Sequence, residues 1–168
     1  MSLPGALIYK GSMKYEGKTR LPTVSATAIL GFFSDYRFLS NFCYSPVYLD
    51  SILYPTSEHA YMAEKTNDFE LRRHIARLKT PLEARNYGQT IQLIDNWKEK
   101  RIPAMYRVLT AKFLQDEVRV PLLATGTKYL EETNDWDDTF WGCCGGKGAN
   151  HLGKTLMRVR DDIFKELK

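Results

Sequence analysis

Between Ala28 and Tyr54 the apolar and aromatic residues come in short runs broken at Ser34-Asp35, Ser45-Pro46 and Asp50-Ser51, a pattern that predicts short strands joined by turns. After Pro55 the character changes. Thr56 or Ser57 can cap a helix whose first turn carries Glu58, an acid at the positive end of the helix dipole, and this helix is expected to reach about Thr66. Asn67 and Asp68 can cap a second helix, with Leu71, Ile75 and Leu78 at helical spacing and Arg72, Arg73 and Arg77 turned outward. Thr80-Pro81-Leu82-Glu83 restarts the chain as a capping box with proline at the first helical position, and Gly88 is the expected stop.

Further along, Met105, Leu109 and Phe113 mark a longer helix in which Pro103 is expected in the first turn or at a kink. Pro121 to Gly126 reads as a short helical piece. The last helix puts Leu156, Val159, Ile163 and Leu167 on one stripe, after a glycine-rich loop from Gly142 to Gly153. The expected fold is α+β, mainly helical with a small β element near the start. Residues 1–27 form a loose arm, in which Gly11-Ser12-Met13 reads equally as a joint ahead of a second start, and residues 28–168 form one domain.

Composition adds little to this picture. A chain of 168 residues with 43% hydrophobic and 26% charged residues matches an ordinary globular domain with one core. The net charge of +4 is spread along the chain, so it does not announce nucleic acid and suits a phosphate-bearing small ligand equally. No apolar run approaches the roughly 20 residues a membrane span needs. Cys43, Cys143 and Cys144, an odd set with two adjacent, make a poor disulfide framework and fit a reducing cytosol, hence a cytoplasmic placement. Adjacent cysteines with His151 also lack the spacing and the fourth ligand of a zinc site, so neither metal nor cofactor is expected.

Two stretches carry possible chemistry. Gly148-Ala149-Asn150-His151-Leu152-Gly153-Lys154-Thr155 matches the Walker A pattern, but only 13 residues follow Thr155, too few for the downstream strands and magnesium-binding acid of a P-loop enzyme. The same loop can offer backbone N–H groups to phosphate, or simply pack as a glycine-rich turn. Glu58 and Lys65, seven residues apart on the expected helix, come back within about 20° of one face, roughly 10 Å apart along the axis, with Tyr61 and Met62 near that face. A sugar-sized group fits between such side-chain ends; equally, Glu58 serves the helix dipole and Lys65 is a solvated surface residue. Trp97, Trp136 and Trp141 offer faces for stacking on a base, or anchors for a core.

In order and spacing, Phe32-Phe33-Ser34, Phe38-Leu39-Ser40-Asn41-Phe42, Tyr54-Pro55-Thr56-Ser57-Glu58-His59 with Ala63 and Lys65, Trp97, Met105, Ala111-Lys112-Phe113, and finally Asp138, Trp141-Gly142, Gly148, Asn150, Leu152-Gly153, Met157 and Arg160 resemble the NADAR superfamily, with its single-domain YbiA-like fold. The resemblance runs from Phe32 to Arg160. It implies hydrolysis of the bond between ribose C1 and an exocyclic amine, since family members cleave amino-pyrimidine phosphoribosides of early riboflavin synthesis or remove ADP-ribose from guanine. It implies that Glu58 is catalytic and that Lys65 is a candidate for a covalent role. Trp97 and Trp141 become candidates for stacking on the base, Asn41, Asp138 and Asn150 for hydrogen bonds to ribose or base, and Gly142, Gly148 and Gly153 for close approach to phosphate. The implied partner is a phosphoribosyl or ADP-ribosyl small molecule; a non-catalytic ADP-ribose-binding module and an enzyme acting on ADP-ribosylated nucleic acid are the competing readings. Lys98, where relatives often carry an acid, and Cys143-Cys144, where they commonly have Gly and Asp, depart from the pattern and bear on substrate identity.

Overall fold

A computed structural model describes residues 20–167. Strands β1 (Thr23–Val24), β2 (Ala28–Leu30) and β5 (Tyr129–Glu131) form one small sheet, β1 antiparallel and β5 parallel to β2. The hairpin β3 (Tyr44–Leu49) and β4 (Ile52–Thr56) forms a second, and β6 (Thr133–Asn134) with β7 (Cys143–Cys144) a third. The helices are α1 (Ser57–Ala63), α2 (Phe69–Ala76), α3 (Pro81–Gly88), α4 (Trp97–Lys112), α5 (Asp116–Ala124) and α6 (His151–Glu166), with a 3-10 helix over Ser34–Leu39. The α+β class is as expected. Most of the arm expected over residues 1–27, with the Gly11-Ser12-Met13 joint, lies outside the described residues; Thr23 and Val24 pair with β2.

Side chains at the helix starts explain why three of them begin where they do. The Thr56 hydroxyl accepts from the His59 N–H, Asp68 from Glu70 and Leu71, and Thr80 from Glu83, each satisfying donors that the first helical turn leaves open. Glu83 reaches back to the Lys79 N–H, one residue before the cap. Other boundaries differ from expectation. Helix α1 stops at Ala63, and the chain tightens through Lys65 N–H to Met62 O and Thr66 N–H to Ala63 O, so Lys65 sits in the turn after the helix. Gly88 is the last residue of α3 rather than a stop beyond it, and a Cβ there would come within 2.4 Å of the Met62 sulfur. Pro103 lies inside α4, which starts at Trp97, and Pro121 lies inside α5, which starts at Asp116.

The core runs between the hairpin, α1, α4 and α6: Val47, Tyr54, Ala60, Ile75, Met105, Val108, Leu109, Leu122, Leu130 and Leu156 are all nearly or fully buried. Ile163 of the expected last-helix stripe is partly buried against this core, whereas Leu167 lies beyond α6 and is exposed. Helix α1 is buried along its whole length. A helix with no wet face brings its polar residues inside, and this is what makes Glu58 unusual.

Candidate active site

Glu58 stands in the first turn of α1, its N–H held by the Asn41 carbonyl at 3.1 Å, and retains 7% exposure. Burial raises its carboxyl from the ordinary range to about 7, against the pull of Arg85 and Lys65, while Asp138 pushes the same way as burial. Lys65 shows the mirror effect: burial lowers its ammonium, Glu58 opposes that, and Arg85 adds to it. The Lys65 Nζ donates to the Gly88 carbonyl at 3.0 Å, which ties the turn after α1 to the end of α3. Glu58 and Lys65 are thus electrostatic neighbours, although the second is not carried by the helix. Burial thus moves both groups toward their neutral forms.

Tyr61, one turn on from Glu58, is buried, and its ring lies 5.6 Å from Trp97 and 5.3 Å edge-on to Trp141. The two tryptophans picked from the sequence therefore meet the same ring, while Trp136 is exposed with Arg20 over its face. Burial and the nearby Glu58 raise the Tyr61 hydroxyl, so it stays protonated. Arg101 stacks on Phe140 at 3.4 Å.

The remaining residues divide. Asn41 adjoins Glu58: its Nδ2 lies 3.4 Å from the Met105 sulfur, and its Oδ1 is buried with no partner among the described residues. Asp138 is within electrostatic reach of Glu58, and its Oδ1 accepts the N–H groups of Phe140 and Trp141, at 3.1 and 2.8 Å, which fixes the turn that presents Trp141. Asn150 is spent on the protein: its Oδ1 accepts the Glu132 N–H at 3.1 Å, and its Nδ2 donates to Tyr129 Oη and to the Leu130 carbonyl, both at 2.9 Å.

The glycines of the loop also face protein. A Cβ on Gly142 would lie 2.2 Å from the Glu132 carbonyl, one on Gly148 2.1 Å from the Gly142 carbonyl, and one on Gly153 2.1 Å from the Leu130 carbonyl. Their lack of side chain is accounted for by close backbone packing. Two surface grooves, of about 150 and 140 Å³, lie along α4 and α6, and neither is lined by Glu58 or Lys65.

Sequence reasoning missed Arg85, Arg101 and Glu132. Arg85 and Arg101 bear no motif of their own, and Glu132 follows a strand too short to announce itself. Burial raises the Glu132 carboxyl to about 8, against Arg37, with Asp138 and Glu58 adding to the rise and Lys112 opposing it. Lys112 is buried too, lowered to about 8, its Nζ on the Ser40 carbonyl at 3.0 Å.

The α+β domain thus places a buried carboxyl and a half-buried amine beside an aromatic cluster. The NADAR domain model matches residues 26–164, and the chain belongs to that family. It is 38% identical to the N-glycosidase YbiA of Shigella flexneri serotype 5b over 154 residues, covering 88% of this chain and 96% of that one. The NMR structure of the Escherichia coli protein YbiA superposes with a TM-score of 0.75 at 36% identity, over 88% of this chain and 92% of that one. A third relative, the riboflavin biosynthesis protein VVA0006 of Vibrio vulnificus, is 33% identical over 133 residues, 77% of this chain but 36% of its own length. The chain stands among the N-glycosidases of its family.

Proposed function

We propose that this chain hydrolyses the bond between C1 of a phosphorylated ribose and the exocyclic amine of an amino-pyrimidine, with residues 28–168 as the catalytic unit. One observation carries the reading: the coupled pair Glu58 and Lys65, a carboxyl raised to about 7 and an amine lowered from its usual value. The riboflavin biosynthesis name of the Vibrio relative supports an amino-pyrimidine phosphoriboside over ADP-ribosylated guanine. Asn41 Oδ1 offers a buried acceptor, and Trp97 with Trp141 a platform for the base. The placement is cytoplasmic, on the three free cysteines.

In the ring-opened substrate, C1 is joined to the base nitrogen as an imine. The neutral Lys65 amine adds to C1, the bond from C1 to the base nitrogen breaks, and the base leaves as its free amine carrying the two hydrogens that Lys65 gives up, relayed by Glu58. Water then adds to the new imine, and cleavage from Nζ returns the lysine amine and releases the aldehyde of ribose phosphate. The alternative is direct hydrolysis, with ionised Glu58 set against an oxocarbenium-like C1.

Incubation with an amino-pyrimidine phosphoriboside and, separately, with ADP-ribosylated guanosine, reading released base by chromatography, tests the substrate. Release from the first supports the reading, and release from the second alone overturns the choice. Binding of either without product makes the chain a binding module. Turnover confined to ADP-ribosylated polynucleotide, with affinity falling steeply with salt, makes it a nucleic-acid enzyme. Borohydride during turnover traps an adduct at Lys65 by mass analysis if the imine forms, and no adduct leaves the direct route.

A further inference from the structure

Glu132 is seated with unusual care for a residue between two very short strands. Its N–H is held by Asn150 Oδ1 at 3.1 Å, and its carbonyl accepts the Cys143 N–H at 2.8 Å. Its stem runs over Gly142, where a Cβ would stand 3.1 Å from Glu132 Cγ. Two residues that the sequence suggests for substrate binding, Asn150 and Gly142, thus hold Glu132 in place. What they hold ends in an atom with nothing to bond: Oε2 is buried and has no partner among the described residues. Such an atom costs free energy in the empty protein, and a functional site is the usual reason to keep one.

The groups within electrostatic reach of the carboxyl come from four elements: Arg37 of the 3-10 helix, Lys112 at the end of α4, Asp138 of the 134–141 turn and Glu58 of α1. Lys112 is engaged by the Ser40 carbonyl. Burial raises the Glu132 carboxyl to about 8, and the neighbouring Asp138 and Glu58 add to that rise.

We propose that Glu132 is a substrate-binding residue that enters the reaction neutral and donates a hydrogen bond from its carboxyl to a ribose oxygen of the phosphoribosyl group held against Glu58. This rests on the N-glycosidase reading and adds to it a donor that is not ionised. A neutral carboxyl donates without opposing the negative charge that Glu58 must carry, which a second carboxylate would do. Loss of the proton then removes the donor and adds a repelling charge together, so kcat/KM falls as pH rises through about 8.

Glu132→Gln and Glu132→Ala provide the test, each checked for cooperative thermal unfolding. Glutamine keeps a donor at the same reach, so at pH 7 its kcat/KM is expected within about threefold of wild type, with the decline near pH 8 abolished. Alanine is expected to lose about tenfold to a hundredfold at pH 7. A wild-type decline that persists in Glu132→Gln, or an alanine variant as active as wild type, overturns the proposal. Absence of turnover by the wild type instead defeats the N-glycosidase reading. Calorimetric titration with ribose 5-phosphate judges Glu132 without turnover. The expected result is wild-type affinity at least fivefold weaker at pH 9 than at pH 7, with no such change in Glu132→Gln. Equal weakening in both, or no binding by either, sinks the proposal.

Discussion

Around α1, polar groups are buried faster than they are satisfied: Glu58 lies at 7% exposure with its carboxyl raised to about 7, and Asn41 Oδ1 and Ser57 Oγ have no partner among the described residues. Around the loop before α6 and the first turn of that helix the reverse holds. Asn150 uses both side-chain atoms on neighbouring protein, and Gly142, Gly148 and Gly153 sit where a single carbon would strike a carbonyl. The sequence offers both stretches as chemistry, one by charge spacing and one by a phosphate-loop pattern. The difference between them is that buried polar atoms around α1 lack partners among the described residues, whereas those of the second stretch are paired.

The sharpest way to break that contrast is Glu58→Gln. It preserves shape and removes the carboxylate, and kcat/KM for the phosphoriboside is expected to fall by about a thousandfold, within the range removed with a general acid or base. Retention of more than a tenth of wild-type activity would assign the buried polar atoms around α1 to something other than catalysis. Lys65→Arg keeps the positive charge without a nucleophilic amine, and by the imine route it abolishes the borohydride adduct and slows turnover by a comparable factor.

The start of α6 answers to stability. Gly153→Ala places a Cβ 2.1 Å from the Leu130 carbonyl and 2.6 Å from Asn150, where neither backbone nor a thrice-bonded side chain yields. A loss of about 3 kcal/mol is expected, a fall of roughly 10 °C in Tm. Because Asn150 also seats Glu132, the calorimetric loss of ribose 5-phosphate affinity in the folded fraction is expected to be no larger than that of Glu132→Ala. A folded Gly153→Ala that loses the ligand more completely than Glu132→Ala would return this segment to phosphate binding.

How much of this the residues disclose depends on whether a feature is local. Helices α1, α2 and α3 are legible because Thr56, Asp68 and Thr80 each cap their own next turn. The start of α4 is not: Asn96 enters it in a left-handed conformation, φ 58°, with no side-chain cap, and Pro103 then disguises the interior. Strands β5 to β7, of two or three residues, are too short for an alternation to show, and β5 exists through its parallel pairing with β2, a hundred residues away in the chain. Glu58 and Lys65 are marked in the sequence by spacing and resemblance. Arg85, Arg101 and Glu132 acquire meaning only from burial and neighbours, which no local pattern encodes.

A last effect, read in Tm alone, concerns the stability that Glu58 withholds, and its sign distinguishes stored free energy from ordinary packing. The native carboxyl keeps its proton up to about pH 7, whereas the unfolded chain sheds it near 4.5. Below 4.5 both states hold the proton, and burial of the neutral acid carries no ionic cost. Between 4.5 and 7 the unfolded state ionises first, so folding loses stability as pH rises, and above 7 the loss is complete. At about 1.36 kcal/mol per pKa unit the total approaches about 3 kcal/mol, a figure that already includes the compensating pull of Arg85 and Lys65. Glu58→Gln has no proton to lose. Relative to wild type, its Tm should therefore be nearly unchanged at pH 4 and rise progressively to pH 8, by up to about 10 °C. A variant more stable than wild type but without activity is what a strained, functional carboxyl leaves behind. A Tm difference that is flat across this range would mean that the charge on Glu58 is already accommodated, and the contrast with the loop would lose its energetic basis.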